Sequence, residues 1–237
     1  MAHVSHSARP VHRRPRARGP LGAPVLLFVG ATLLAAGYVT YVLWPRWPSA
    51  PVSLSAAPLP VMVSGTMFTV EPAAIRVSVQ RRPGTQERLD LSYLWPSLTP
   101  PDPTLKPTVG APLDPNERLF VTIANGEATL PIGERVKTIY PRYLDETASA
   151  GPPGLTVRAF RNGTPYQNED MFYDPQAPER FLARCTRSGV GNSGMCLLER
   201  RIGNADLTLR FPRDWLDNWE SVAKGADSLI ARLHPAG

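Results

Sequence analysis

The sequence predicts an α+β fold: a β-rich antiparallel extracytoplasmic domain ending in a C-terminal amphipathic helix and preceded by one N-terminal transmembrane helix. Three observations predict it. Leu21 to Trp44 contains no Asp, Glu, Lys, Arg or His. Short runs rich in β-branched and aromatic residues follow, and the last two flank Gly203-Asn204, a two-residue hairpin signal. From Trp215 to Leu233, apolar residues recur at spacings of three and four.

Residues 21–44 extend roughly 36 Å as a helix, enough to cross a hydrocarbon core of about 30 Å with some tilt. Arg9, Arg13, Arg14, Arg16 and Arg18 stand before the span, no acidic residue occurs before Glu71, and Arg46 alone follows closely. Short arginine-rich flanks stay cytoplasmic. The expected topology is a single pass of the inner (plasma) membrane, with residues 1–20 a disordered cytoplasmic tail and the C-terminal domain periplasmic. Tyr38, Tyr41, Trp44 and Trp47 cluster at the exit end, where amphipathic rings suit the headgroup level. A cleaved secretory signal competes with this reading, with Ser55, Ala56 and Ala57 as small residues near a cleavage point. Signal cores run about 7 to 15 residues, and this stretch is longer. Arg13-Arg14 is followed by Pro15 and reads as topogenic charge rather than a twin-arginine signal.

The chain carries 26 basic and 20 acidic residues. Setting aside the five tail arginines and Arg46 leaves 20 of each sign in residues 47–237. The high isoelectric point therefore reports topology, and no nucleic-acid partner is expected, since that would call for a basic domain. Only three basic residues are lysine, Lys106, Lys137 and Lys224, and the chain is rich in Ala, Pro and Arg. That bias fits a GC-rich bacterial genome and hence a periplasm. In a eukaryotic lumen, Asn162-Gly163-Thr164 would instead be a glycosylation acceptor.

Of the 23 prolines after Trp44, 14 fall between Pro45 and Pro115. Residues 45–64 read as a semi-rigid proline-rich spacer, and the cluster from Pro96 to Pro115 as a long loop inside a domain spanning 65–237. Strands are expected at Gly65–Val70, Ile75–Gln80, Leu89–Leu94, Leu119–Ala124 and Leu155–Phe160. Glu134 to Tyr140 is ambiguous, with Pro131 suited to start a helix and Pro141 to end it.

Around Gly203-Asn204, strands Met195–Ile202 and Ala205–Phe211 pair so that Ile202 faces Ala205, Arg200 faces Leu207, Leu198 faces Leu209 and Cys196 faces Phe211. Placing Cys185 opposite Cys196 adds Phe181 and Ala183 to a face that is apolar except for Arg200. The other face carries Arg180, Arg184, Glu199, Arg201, Asp206, Thr208 and Arg210, with Leu182 and Leu197 as exceptions. One buried face and one wet face describe a meander on a core. The only two cysteines, Cys185 and Cys196, lie in the expected oxidising compartment, so a structural disulfide is read, stabilising by roughly 2 to 3 kcal/mol. A redox pair would usually show C-x-x-C spacing.

After the meander, Asp214 is expected to cap a helix, with Asp217 three residues on. Trp215, Trp219, Val222, Ala226, Leu229 and Leu233 form its apolar stripe, to be packed on the sheet.

His3, His6 and His12 lie in the tail and His234 is the fourth residue from the end, so no histidine is expected in the folded domain. Imidazole-based triads and zinc sites are thereby unsupported, and no metal or other cofactor is expected. No phosphate-loop, dinucleotide, nucleophile-elbow or H-E-x-x-H string occurs. The loop Ser188 to Gly194 reads as a hairpin tip rather than an anion nest, and Asp114-Pro-Asn-Glu117 as a turn rather than a calcium loop. Glu87, Asp90, Asp102, Glu117, Glu169 and Asp170 are the carboxylates available for a glycosidase-like pair. Glu169-Asp170 reads as a solvated loop between aromatic residues. Arg200, on the buried face, is expected to reach the rim or pair with a carboxylate, with an anion or ligand contact as its functional alternative.

These readings converge on a single-pass protein of the cell envelope, in contact with the bilayer through residues 21–44. It is expected to be a non-catalytic interaction or scaffold component with a protein partner in the envelope. A membrane-anchored carboxylate-dependent hydrolase of envelope polysaccharide is the alternative.

Overall fold

The computed structural model describes residues 22–43, 52–103, 117–127, 129–189 and 194–235. The arginine tail with its three histidines, residues 45–51, Asp114 to Asn116 and residues 190–193 of the glycine-rich loop lie outside the described residues. The chain divides into two units, residues 1–46 and 47–237.

In the first unit, helix α1 (Gly22–Leu43) is apolar on all sides and long enough to cross a membrane. Its two threonine hydroxyls are satisfied within the helix: Thr32 Oγ1 donates to Phe28 O at 2.9 Å and Thr40 Oγ1 to Ala36 O at 2.8 Å. Neither threonine hydroxyl hydrogen is thus left unpaired, which suits such a helix to lipid.

The second unit is built on two sheets. A small one has the order β2-β1-β3, with β1 (Leu59–Val63) antiparallel to β2 (Thr66–Val70) and parallel to β3 (Gly84–Thr85). The expected spacer therefore ends before Leu59, because alternate residues Val61 and Val63 are wholly buried and draw the segment into the core. The large sheet has the order β4-β5-β11-β10-β9-β8-β7-β6, all antiparallel. Its strands are β4 (Arg88–Leu94), β5 (Arg118–Asn125), β6 (Ser149–Ala150), β7 (Thr156–Ala159), β8 (Glu169–Tyr173), β9 (Leu182–Thr186), β10 (Met195–Ile202) and β11 (Ala205–Pro212).

The hairpin register is the expected one: Ile202 faces Ala205, Arg200 faces Leu207, Leu198 faces Leu209 and Cys196 faces Phe211. Cys196 also faces Cys185, and the two are joined in a disulfide. Gly203 takes φ +55°, the positive value a two-residue turn requires. The turn is fastened to β2, where Thr66 Oγ1 accepts from Asn204 N at 3.2 Å and donates to Ile202 O at 3.3 Å.

Ile75 to Gln80 is not a strand. Ile75 makes one bridge to Leu91, and Ser78–Gln80 then turn as a 3-10 helix. The reason is a side chain standing in for backbone: Gln80 Nε2 donates to Asp90 Oδ2 at 3.1 Å while its Oε1 accepts from Asp90 N at 2.9 Å. The carboxamide closes the pairing that a continued strand would have made.

The main core unites β1 and β2 with one face of the large sheet and with α3 (Trp219–Leu233). The expected stripe holds, with Trp219, Val222, Ala226, Leu229 and Leu233 all buried. The expected cap does not. Arg213–Asn218 form a 3-10 turn, and neither end of it nor the start of α3 carries a side-chain cap. Packing sets this turn: the Trp215 ring stacks on Trp95 at 4.7 Å and on Phe211 at 5.9 Å.

The outer face of the sheet is not simply wet. Helix α2 (Ile132–Thr138) and the turn Tyr140–Arg142 lie over its β8 and β9 end. There Tyr140, Leu144, Phe160, Met171 and Leu182 form a second, smaller core. Glu134 to Tyr140 thus resolves as helix, then turn, and Leu182 is an exception on the polar face because it is buried under that helix.

Candidate functional site

Three arrangements in the second unit hold polar chemistry or open apolar surface: an ion-pair network on the outer face, a cleft beside it, and the setting of Arg200.

The network joins α2 to the sheet. Arg135 and Glu199 are in direct contact, Arg184 lies 3.3 Å from Glu199 and 2.5 Å from Glu169, and all four side chains are largely buried. Arg184 also stacks over Tyr166 at 4.9 Å and Tyr140 at 5.8 Å. Burial, against the nearby arginines, raises the Tyr140 phenol above its ordinary value. Buried charges persist only when paired in this way.

Asp170 belongs to a separate group, 2.9 Å from both Arg187 and Arg213. The expected loop at Glu169-Asp170 is strand β8, and neighbouring residues on a strand point to opposite faces. Glu169 faces the α2 side and Asp170 faces the disulfide side. Asp90 is held by Arg88 at 2.8 Å, with Thr122 Oγ1 donating to it at 3.0 Å. The Arg88 guanidinium, helped by Gln80 and Thr122 against partial burial, holds the Asp90 carboxyl below the usual range. β4 and β8 are five strand steps apart in the sheet order, about 24 Å at the usual strand spacing. Asp90, Glu169 and Asp170 therefore do not converge as a glycosidase pair. Glu87 and Glu117 are exposed, and Asp102 lines a small cavity beside Ser92.

Beside the network, a cleft of about 600 Å³ opens between α2 and the β9 and β10 strands. Its apolar lining comes from Pro131, Ile132, Val136, Pro178 and Leu182, while Lys137, Arg200, Arg201 and Glu179 stand along it. Lys137 is paired with the exposed Glu134 at 3.6 Å and Arg201 with Asp206 at 2.6 Å, which leaves Arg200 as the lining cation without a carboxylate among the described residues. Sequence reasoning missed this site because its walls are brought together by the second core, although Leu182 on an otherwise polar face was the signal for it.

Arg200 lies half-buried, as its place on the apolar face requires. Its Nη2 donates to Arg180 O at 2.6 Å and its Nη1 to Glu199 O at 3.2 Å. No carboxylate among the described residues lies within ion-pair distance of it. Burial lowers its pKa while the field of Asp227 opposes that. The expected carboxylate pairing is replaced by two backbone carbonyls.

One histidine does belong to the domain, contrary to expectation. His234 Nδ1 is 2.8 Å from Met67 O, and its ring lies 5.7 Å from that of Phe68. It packs against β2 because the end of α3 crosses there, and no carboxylate or hydroxyl among the described residues bonds to it. No group of metal-ligating side chains occurs among the described residues.

No family model matches the chain, and no curated protein matches it. Among solved structures it is similar to an immunity protein of the Stenotrophomonas maltophilia type IV secretion system, at 17% identity and a TM-score of 0.47, over 74% of this chain and 92% of that one. It is also similar to an iron-regulated outer membrane lipoprotein of Neisseria meningitidis, at 12% identity and a TM-score of 0.41, over 76% of this chain and 95% of that one.

Proposed function

We propose that the chain is a single-pass, N-in protein of the inner membrane whose residues 47–237 stand in the periplasm and bind another protein without catalysis. Two features support the address. Helix α1 is apolar on every side and follows an arginine-rich flank, and disulfides persist in oxidising compartments.

The cleft between α2 and the β9 and β10 strands carries the binding role. Its apolar walls offer contact area, and Lys137, Arg200 and Arg201 along it favour a partner segment that presents an apolar side chain flanked by carboxylates. Arg200, already desolvated and without a carboxylate of its own, is the residue we assign to meet such a charge.

The test uses the full-length protein in native membranes. A photo-crosslinking side chain in place of Val136 is expected to capture one envelope protein, and one in place of the exposed Leu54 is not. Lys137→Glu should abolish the capture. Equal capture at both positions, or capture insensitive to Lys137→Glu, overturns the binding surface. A periplasm-dependent reporter enzyme fused after Gly237 should be active; an inactive fusion overturns the topology.

A further inference from the structure

A second cavity, of about 280 Å³, lies at the β4 edge of the large sheet, far in sheet order from the cleft. Arg76 follows the 3-10 turn Pro72–Ala74, Arg81 follows the turn Ser78–Gln80, Ser92 comes from β4 and Arg118 from β5. Leu89, Leu91 and Tyr93 take the core side of β4, so alternation turns Ser92 outward to this cavity.

Ser92 is 2% exposed, and its Oγ is buried with no hydrogen-bond partner. Native proteins rarely leave a buried hydroxyl unanswered, and such a group calls for a specific explanation. The surrounding charges supply one. Arg76 lies over the Phe120 ring at 4.6 Å, and Arg81 spends only its Nε on Ile75 O, at 3.1 Å. Neither these two nor Arg118 has an ion-pair partner among the described residues. Asp102 is the one carboxylate in the lining, so cations outnumber it three to one.

We infer that the cavity formed by Arg76, Arg81, Ser92 and Arg118 binds a phosphate group. Planar guanidinium forks match the oxygens of such a group two at a time, and the serine hydroxyl donates to one more oxygen. The volume takes a phosphate with a small substituent, the size of a phosphoglycerol. That chemistry is shared by free phosphate and by a phospholipid headgroup.

The test uses the full-length protein in uncharged detergent micelles, titrated with inorganic phosphate and separately with monomeric dihexanoyl phosphatidylglycerol, each followed by ³¹P line broadening. Saturable binding of inorganic phosphate assigns a free phosphate. Saturable binding of the short lipid alone assigns a headgroup. Arg118→Gln should weaken binding by about tenfold, the loss of one charge-assisted contact, while Arg142→Gln, on an exposed turn elsewhere, should not change it. Ser92→Ala should also weaken binding; unaltered binding with a raised thermal midpoint would make the hydroxyl merely a packing defect and overturn its role. Binding of neither probe, or equal binding by Arg118→Gln, or acetate binding as tightly as phosphate, overturns the site.

Discussion

The indole of Trp95 rests on the backbone of Gly225, so closely that a Cβ added at Gly225 would lie 2.7 Å from Cζ3 and 3.0 Å from Cη2 of that ring. The contact places Trp95 against α3 and completes its stack with Trp215. In a free helix, Gly to Ala stabilises by about 1 kcal/mol. Here the sign reverses. Gly225→Ala is expected to destabilise by about 1 to 3 kcal/mol through overpacking, whereas Gly133→Ala, on α2 with nothing within 4 Å, should stabilise by about 0.5 kcal/mol. Thermal unfolding of the full-length variants in detergent, followed by tryptophan fluorescence, checks both signs.

Glu199 holds two arginines at once, Arg135 and Arg184. Glu199→Ala leaves both largely buried guanidinium groups short of a partner, and Arg184 Nε is already without one. A loss of about 3 kcal/mol is expected, the cost of breaking a buried pair. Glu134→Ala removes only the exposed pair with Lys137 on α2 and should cost under about 0.5 kcal/mol. Urea unfolding midpoints of the two variants separate them.

The Asp90 carboxyl titrates lower in the folded chain than its ordinary value of 3.8. As pH falls, the unfolded chain therefore takes up this proton first, and its contribution to stability disappears. The stabilisation is whole above the ordinary carboxylate range and is lost as pH falls through the folded pKa. Asp90→Asn should flatten that part of the profile and leave the slope near neutral pH unchanged, as measured by unfolding midpoints from pH 6 downward.

Cys185 and Cys196 are fully buried in adjacent strands and close a separation of 11 residues. The double variant Cys185→Ala, Cys196→Ala is expected to lose about 3 kcal/mol in the chain-entropy view. It should keep the same strand pairing, because Leu198 still faces Ala183 and Leu209. Reductant added to the native protein should shift the midpoint far less than reductant added in urea, since the bridge is not reachable until the strands part.

How much of this was legible in the chain depends on where each interaction comes from. The β10–β11 register could be read because a two-residue turn and a period of two leave a single alignment with one apolar face. The stripe on α3 was equally local. Ile75 to Gln80 was misread because a carboxamide from Gln80 replaces a ladder bond, which no periodicity reports. Asp214 was misread because ring stacking of Trp215 outweighs capping. The second core gathers Tyr140, Phe160 and Met171 from separate elements, and the group around Ser92 gathers arginines from three segments. Such sites exist only after the strands have been ordered.

The tie between His234 and Met67 spans 167 positions and sets a timetable. A polypeptide made from its amino end exposes Phe68 long before the closing turn of α3 emerges to cover it. The earliest strands must wait, half-dressed, for the final residues. Any stop codon upstream of α3 should therefore leave that early surface open to chaperones and proteases, rather than merely shortening the protein.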